Sequence, residues 1–448
     1  MHVRSLRIAI RLAYTMNLLV TNTRNSQAYS VIRALRPYAK KIVATMIGQN
    51  RLAARLSHAA NSRLVDARYY VPSPVDDWGA GKIQRENTQK EGLYIQAVLK
   101  ICEKENIDTI FPSFDPQVYV FSKNKERFEK LGILIPVPDY EAVIIALDKY
   151  RTIQAAQETS FPCPKTYLLD GERDLKSIAA ELGFPLVLKH RFTAAGRGFA
   201  IARDWSELSS KAKQVRGTNR YIIQEYIPGK EQQNWLLALD RTGALKMALT
   251  SENVRSFYRL HVNFPLARRA LGPSPYLAQA AAFANRIGWW GGTAIQMKVD
   301  PRDGVPKLME INPRIGEGRW QMVASGINEP LLTLKVARRE AVEAVESWPA
   351  GTMLLCPVED VISLWIKLLD LLVYNVRAIF GVKRLRDPLN APLGLKQLMS
   401  SYKDTYLRSN KKVYNLYFTY FFSDPMVSIT WWLQTMSAVL RALKEIGR

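Results

Sequence analysis

The feature that most limits how this chain can fold lies at residues 296–314. Two runs of alternating apolar and polar residues flank a turn at 301–304, and the turn contains proline, aspartate and glycine. Alternation on both sides of such a turn predicts a β-hairpin with one buried face and one polar face. Any fold of the chain has to accommodate an antiparallel pair of strands at this point.

Three oxygen-bearing side chains are predicted to converge on the polar face of this hairpin. Glu310 and Asn312 stand two positions apart on one strand and therefore share a face. If Asp300 pairs with Pro306 across the turn, the antiparallel register also places Gln296 opposite Glu310. Oxygen ligands without histidine or cysteine suit a hard cation, above all Mg2+, which commonly arrives with nucleotide phosphates. A hairpin whose polar residues simply face solvent fits the same pattern.

The composition is that of a folded protein with an unusual excess of positive charge. The 448 residues are 48% apolar, and the formal net charge is +23. That charge favours anionic partners, whether nucleic acid, acidic lipid or phosphorylated and carboxylated small molecules, without choosing between them. The three cysteines are odd in number and widely separated, which predicts reduced thiols in a cytoplasmic protein. No apolar run is long enough to predict a membrane span.

The first part of the chain reads as an α/β unit. Residues 1–16 carry spaced arginines and are interpreted as a basic extension rather than a signal peptide. Residues 17–147 alternate strand and helix patterns, which predicts a doubly wound parallel sheet. Ligands bind such sheets at the carboxyl ends of the strands, where Arg24 and Asp115 are candidate substrate contacts.

A second unit begins near residue 148, and it contains a glycine loop between two predicted strands. The loop includes Gly196, Arg197 and Gly198. Glycines let backbone N–H groups approach phosphate oxygens, and Lys189 on the preceding strand would add a point charge. An ordinary hairpin turn is the alternative interpretation of this loop.

Six phrases are spread over these two units and the hairpin. They are DKYRT at 148–152, FPLVLKHRFTAAGRGF at 184–199, IIQEYIPGKE at 222–231, SEN at 251–253, GGTAIQMKVD at 291–300 and MEINPRIGEG at 309–318. In this order and spacing they resemble the ATP-grasp superfamily, and most closely its carbamoyl-phosphate-synthase-like, carboxylate–amine ligase branch. The resemblance implies a mixed α/β and α+β fold: a Rossmann-like pre-ATP-grasp domain at 17–147, then a two-lobed ATP-grasp domain at 148–340 with its lid lobe at about 183–228. A helical, aromatic and basic C-terminal region follows at 351–448.

The resemblance also implies a role for each matching residue. Those implied for nucleotide binding are Lys149, Lys189, Gly196, Arg197, Gly198, the hinge residues Gln224, Glu225, Tyr226 and Ile227, and Glu231. Those implied as metal ligands are Gln296, Glu310 and Asn312. Those implied for catalysis are Arg314, Lys189 and Glu252. The implied cofactors are ATP and Mg2+, with Mn2+ as an alternative to Mg2+.

The reaction that the resemblance implies is a two-step ligation. A substrate carboxylate attacks the γ-phosphate of ATP to give an acyl phosphate, and an amine or another nucleophile then displaces phosphate. The chain departs from the synthases after Glu252, because it lacks their His-x-Gly-Asp segment, and this argues against bicarbonate or carbamate chemistry. Arginines in the same stretch suggest an anionic acceptor, with Arg255, Arg259 and His261 as candidate contacts. Solvated surface roles for these three residues stay open.

Two interpretations of the C-terminal region stay open as well. Its helices either pack on the body of the protein or in a homo-oligomer interface, or they attach peripherally to an anionic membrane through aromatic and basic side chains. Membrane attachment would fit substrates that are anionic and linked to lipid or polysaccharide. The chain would then be a cytoplasmic protein held at the inner face of the membrane.

Two other classes of function compete with the ligase. A catalytically idle ATP-grasp domain could serve as a membrane-associated or complex-forming nucleotide-binding module, but an intact Gln, Glu, Asn and Arg set argues against decay. Nucleic-acid binding would use the +23 charge. It is disfavoured because the sequence contains no recognised nucleic-acid-binding motif.

Overall fold

The computed structural model describes residues 16–47, 55–75, 88–170, 174–193, 198–257, 265–316, 326–345, 350–379, 395–409 and 411–446. Four candidate site residues lie outside the described residues, namely Gly196, Arg197, Arg259 and His261. Nearly all of the predicted N-terminal extension lies outside them as well. The described residues form three β-sheets with helices packed around them.

A parallel sheet with strand order β3-β2-β1-β4 forms the first part of the fold. Its strands are β1 (Met16–Val20), β2 (Ala39–Met46), β3 (Ala67–Tyr70) and β4 (Thr109–Phe111). The helices of this part are α1 (Ser26–Leu35), α2 (Thr88–Glu105), α3 (Asp115–Lys123), α4 (Lys125–Glu129) and α5 (Tyr140–Leu147). The central strand β1 is a nearly continuous apolar run, as expected for a strand that helices cover on both faces. The predicted α/β unit is therefore present.

An antiparallel sheet with strand order β5-β8-β6-β7 follows, and we call it the lid sheet. It is entered through helix α6 (Lys149–Glu158). Its strands are β5 (Thr166–Leu168), β6 (Leu186–His190), β7 (Phe199–Ala202) and β8 (Tyr221–Glu225), with helices α7 (Leu175–Leu182) and α8 (Trp205–Val215). Apolar side chains of both helices pack against β6 and β8 in one small core. Because β5 pairs with β8, the sheet reaches back to Thr166, earlier than the predicted lid boundary at about 183.

The largest sheet, which we call the main sheet, has the strand order β13-β12-β9-β10-β11-β14-β15. Its strands are β9 (Gln232–Leu239), β10 (Leu245–Ser256), β11 (Pro265–Ala270), β12 (Gly291–Val299), β13 (Pro306–Asn312), β14 (Met353–Leu355) and β15 (Lys412–Tyr414). Helices α9 (Leu277–Arg286) and α10 (Glu329–Ala337) also belong to this part. One face of the main sheet, with Trp235, Ile295 and Leu308, shares a single apolar core with the parallel-sheet part. That shared core fixes the parallel-sheet part beside strand β13.

The C-terminal region is mainly helical, as expected, but it also adds two strands to the main sheet. Its helices are α11 (Pro357–Ile379), α12 (Leu395–Lys403), α13 (Leu416–Thr419) and α14 (Pro425–Ile446). Tyr417 and Trp431 stack with ring centroids 4.7 Å apart, and both rings contact His58 of the parallel-sheet part. The described part of this region is therefore packed on the body of the protein. Within the described residues, no helix combines the length and apolar character that a membrane crossing requires.

Candidate active site

The predicted hairpin is present as β12 and β13, but its register differs by one residue at the turn. Pro306 pairs with Val299 rather than with Asp300. Asp300 is buried and accepts hydrogen bonds from Nε of Arg302 at 2.8 and 3.1 Å, which fixes the turn. A β-bulge further along the two strands absorbs the difference in register.

The three predicted metal ligands lie on one face of the main sheet, which we call the triad face. Gln296 pairs with Glu310 across the hairpin, and Asn312 stands two residues beyond Glu310. The Glu310 carboxylate lies 3.8 Å from the Lys149 ammonium, and Asn312 Oδ1 accepts a hydrogen bond from Arg314 Nη2 at 3.1 Å. Within the described residues there is no group of three or more His, Cys, Asp or Glu side chains that could hold a metal. One carboxylate and two amide oxygens suit Mg2+ only if phosphate oxygens complete its coordination.

Lys149 is held at the triad face by a buried clamp. It is the first residue of α6, and Asp148 caps the helix by accepting a hydrogen bond from Tyr150 N at 3.0 Å. Arg191, just after strand β6, donates from Nε to Asp148 at 3.0 Å. The Lys149 ammonium donates to the carbonyl of Thr193 at 2.5 Å. The start of α6 and the end of the lid strand therefore meet at this lysine.

Lys189 lies on strand β6 of the lid sheet and faces the same site. Its ammonium donates to Gln224 Oε1 at 2.7 Å, and the amide of Gln224 donates onward to Thr166 at 2.8 Å. Burial, together with repulsion from Lys149, lowers the pKa of Lys189 to about 8. A phosphate group beside Lys189 would favour its charged form, so anion binding and protonation are linked at this residue.

The predicted hinge joins the lid sheet to the main sheet. Glu225 accepts a hydrogen bond at 2.5 Å from Arg302 of the hairpin turn. Ile227 is buried, Tyr226 is half-buried and Glu231 is exposed just before β9. The hinge and the hairpin are therefore tied together by an ion pair next to the site.

Gly198 closes the glycine loop onto strand β6. Its φ is +65°, a conformation that L side chains rarely adopt, and a Cβ at this position would lie 2.8 Å from the Cβ of His190. Burial, together with repulsion from neighbouring cations, lowers the pKa of His190 to about 4, so its ring is neutral at physiological pH. The end of the loop therefore needs glycine for both backbone and space.

The predicted catalytic role of Glu252 is contradicted by the register of the main sheet. Gln296 pairs with Asn234, and Asn234 pairs with Ser251, so Ser251 is on the triad face. Neighbouring residues of a strand point to opposite faces, so Glu252 points away from the triad. Its carboxylate forms an ion pair with Arg269 on β11. The prediction that Glu252 is catalytic was therefore wrong.

The prediction that Arg255 contacts substrate was also wrong. It is buried, and its Nε donates to Asp360 of α11 at 2.8 Å. The hydroxyls of Tyr402 and Tyr406 donate to the same carboxylate at 2.8 and 2.9 Å. The arginine therefore anchors the C-terminal region to the main sheet. The other two acceptor candidates, which lie outside the described residues, stay predictions.

Sequence reasoning missed Arg268 and did not identify the partner of Asp115. Arg268 is buried on the triad face, where its Nε donates to Asn253 at 3.0 Å. Asp115 was only a general candidate for substrate binding, yet its carboxylate lies 2.8 Å from Nε of Arg314. Arg24, the other candidate of that kind, is exposed. The pairing of β10 with β11 would have revealed Arg268, but it is not readable from a local pattern.

Two family models match the chain where this site is built. Residues 148–328 match the model for the ATP binding domain of the carbamoyl-phosphate synthase L chain. Residues 87–136 match the model for the N-terminal domain of PylC-like proteins. The fold and this match confirm the predicted resemblance to the ATP-grasp superfamily and to its carbamoyl-phosphate-synthase-like branch.

Carbamoyl phosphate synthase large chains match part of the chain. The carbamoyl phosphate synthase large chain of Halomonas eurihalina is 23% identical over 250 residues, which are 52% of this chain and 23% of that protein. The N-terminal section of the Methanopyrus kandleri large chain is 23% identical over 280 residues, which are 58% of this chain and 49% of that protein. The chain thus spans less than half the length of these relatives.

Solved structures with the same fold include two biotin carboxylases. The Campylobacter jejuni enzyme, solved with a β,γ-ATP ligand, superposes with a TM-score of 0.57 at 21% identity, covering 76% of this chain and 75% of that chain. The biotin carboxylase domain of the Hydrogenobacter thermophilus 2-oxoglutarate carboxylase, a dimer with MgADP and bicarbonate, gives 0.57 at 18% identity, covering 75% and 71%. At these identities the likeness shows the ATP-grasp fold.

Proposed function

We propose that this protein is an ATP-dependent ligase that activates a substrate carboxylate as an acyl phosphate and joins it to an amine or another nucleophile. One observation carries the proposal: two lysines, an arginine and the three predicted metal ligands lie at one edge of the main sheet. Lys149 contacts Glu310, and Arg314 contacts Asn312. The family model that matches this part of the chain describes an ATP binding domain.

The charges at this edge match the main obstacle of the first step. An oxygen of the substrate carboxylate forms a bond to the γ-phosphorus of ATP, the bond to the bridging oxygen breaks, and ADP leaves. Two anions have to meet, so Lys149, Lys189 and Arg314 stabilise the transferring group by charge and by position. Glu310 and Asn312, with Gln296 beside them, would hold Mg2+, which supplies further positive charge to the phosphates. Mn2+ suits the same oxygen ligands.

The second step needs no nucleophilic side chain. The amine nitrogen attacks the acyl carbon, the carbon–oxygen bond to phosphate breaks, and inorganic phosphate and a proton leave. An acyl phosphate would hydrolyse in open water, so the lid sheet has to exclude water while the intermediate exists. The hinge at Glu225 and the glycine loop that ends at Gly198 suit a lid of this kind.

The test is ADP release screened against carboxylates and amines, alone and in pairs. We expect ADP formation that needs Mg2+ and a carboxylate, with product only when an amine is also present. Lys189→Ala should lose this activity, and Lys130→Ala, an exposed lysine on the parallel-sheet part, should keep it. Mg-ATP binding without turnover on any pair would favour the idle nucleotide-binding module instead.

We further propose that the C-terminal helices meet an anionic membrane surface. Their exposed apolar side chains recur at helical spacing along α11 and α14, at Val361, Trp365, Leu369, Met426, Ile429, Leu433 and Met436. Phe422, beside the start of α14, is 93% exposed. The carboxylates Glu359, Asp360 and Asp424 are buried, and exposed Asp404 is paired with Arg408. The exposed lysines Lys396, Lys403 and Lys411 make the surface of this region basic as well as apolar.

Vesicle sedimentation at low salt tests this surface. Leu433→Asp should reduce binding to phosphatidylserine vesicles, and Leu131→Asp, which changes an equally exposed leucine on the parallel-sheet part, should not. The membrane proposal would be overturned if the unchanged protein did not bind the vesicles and formed a dimer that Leu433→Asp dissociates. That result would assign the surface to a homo-oligomer interface. The cytoplasmic location and a lipid- or polysaccharide-linked substrate stay predictions.

A further inference from the structure

A carboxylate from the parallel-sheet part of the chain reaches the nucleotide edge of the main sheet. Asp115 is the first residue of α3, directly after strand β4 and its short connection. Its Oδ1 lies 2.8 Å from Nε of Arg314, and the side chains are 7% and 14% exposed. Asp115 also lines the cavity that Lys149, Glu310 and Asn312 line. The contact therefore crosses from one domain to the other inside the site.

The geometry of this contact is that of a charge pair, not of an aligned hydrogen bond. Among the described residues, neither Asp115 Oδ1 nor Arg314 Nε has a hydrogen-bond partner of acceptable geometry. The guanidinium is also bonded through Nη2 to Asn312 and lies 5.8 Å from the ring of Phe114. Arg314 is thus held between a carboxylate of one domain and an amide of the triad face. The donor directions that stay open suit an incoming anion.

The charge state of Asp115 depends on the same pair. Burial raises the pKa of Asp115, and the guanidinium of Arg314 opposes that rise. The nearby carboxylate of Glu310 raises it further, and Lys149 opposes it. A buried carboxylate in such a setting is stable as an anion mainly because the arginine is beside it.

We propose that Asp115 is a positioning residue, which holds the guanidinium of Arg314 at the triad face for phosphoryl transfer. The parallel-sheet domain then takes part in the chemistry of the ATP-grasp domain through this one carboxylate. The inference rests on the proposed function, because it assigns Arg314 to the transferring phosphoryl group. A purely structural contact between the domains would instead affect the folded state and every ligand of the site alike.

The experiment compares two ligands of the intact protein by titration calorimetry. Mg-ADP reports nucleotide binding, and Mg-ADP with aluminium fluoride adds a mimic of the phosphoryl group in flight. Asp115→Asn should bind Mg-ADP within about twofold of the unchanged protein, and the fluoride complex at least about tenfold more weakly. Asp115→Glu should recover part of the loss. Glu91→Gln breaks the 2.8 Å ion pair with Lys123 at the other end of α3 and should match the unchanged protein with both ligands.

A double-mutant cycle separates positioning from a structural role. On an Arg314→Ala background, Asp115→Asn should cause no further loss of fluoride-complex affinity, because its effect passes through the arginine. Equal losses with and without Arg314 would overturn the inference. So would an equal weakening of both ligands together with a lower unfolding temperature. An Asp115→Asn variant with unchanged affinity for both ligands would overturn this inference alone. If the unchanged protein binds no Mg-ADP, the proposed function itself fails, so the two failures can be told apart.

Discussion

Two arginine–aspartate pairs, one buried and one partly buried, lie at different places on the main sheet, and they are built differently. Arg255 and Asp360 meet near the C-terminal edge, where two tyrosine hydroxyls complete the carboxylate. Arg314 and Asp115 meet near the β13 edge through one 2.8 Å contact, and both contacting atoms lack an aligned hydrogen bond. The side chains of the first pair are 4% and 0% exposed, whereas Asp115 of the second pair lines a cavity.

The contrast separates a structural anchor from a site. A buried charge that is fully hydrogen-bonded has no free donor or acceptor for a ligand, and removing it lowers the free energy of unfolding. A buried charge with free donors can still bind a ligand, although it stabilises the folded state less. Removing it lowers ligand affinity or reaction rate. The sequence-based assignment of Arg255 to substrate was wrong for this reason: its donors are already used.

The largest effect should come from removing the anchor. Asp360→Ala leaves the Arg255 charge buried without its carboxylate partner, so the free energy of unfolding should fall by about 3–5 kcal/mol. Denaturant unfolding measures this loss, and Mg-ADP affinity of the protein that stays folded should not change. Replacing both partners by apolar residues, Arg255→Met with Asp360→Leu, should recover most of the stability. An unaltered unfolding midpoint in Asp360→Ala would show that the pair is not an anchor.

The opposite pattern is expected at the triad. Glu310→Ala should lower ADP formation at least about a hundredfold, because a metal ligand is lost from the transition state. Its unfolding midpoint should stay close to that of the unchanged protein, since the Glu310 carboxylate is half-buried and only loosely paired with Lys149 at 3.8 Å. Phosphate release at the normal rate from this variant would remove the metal assignment.

A pH effect on nucleotide affinity should be smaller. The pKa of Lys189 in the free protein is about 8, and phosphate binding favours its charged form. Affinity for Mg-ADP should therefore be constant below about pH 8 and fall above it, by up to about tenfold per pH unit. Lys189→Arg, which stays charged throughout, should flatten the curve between pH 8 and 10. If the affinity of this variant falls with pH as steeply as that of the unchanged protein, the titrating group is not Lys189.

The smallest effect should be at the end of the glycine loop. Gly198→Ala and Gly217→Ala both place a side chain at positive φ, +65° and +78° respectively. Only at position 198 does the new Cβ meet another atom, at 2.8 Å, because nothing lies within 4 Å of the one at 217. Gly198→Ala should thus be about 1 kcal/mol more destabilising than Gly217→Ala. Equal unfolding midpoints would mean that the loop relaxes freely.

Much of the fold could be predicted because its signals are local. The hairpin, the strand before the glycine loop and the helix start at Asp148 each follow from a short pattern. The register at the turn was off by one because a bulge is not visible in the alternation. Glu252 was misplaced for a related reason, since the face of a residue on β10 depends on pairing with distant β9 and β12.

The parts of the site that could not be predicted depend on contacts between distant segments. Asp115 and Arg314 meet only because a shared apolar core fixes the two domains against each other. The sequence marks Asp115 as a residue at a strand end, and nothing local says which side chain it meets. Arg255 and Asp360 are 105 positions apart and pose the same difficulty.

The strands β14 and β15 also decide how the protein can be divided. Leu355 and its neighbours cover β11, so a protein shortened after residue 340 would carry a bare row of backbone N–H and C=O groups along that strand. Such open strands join other chains and promote aggregation. The nucleotide-binding unit should therefore be produced together with its C-terminal strands, even where only that unit is of interest.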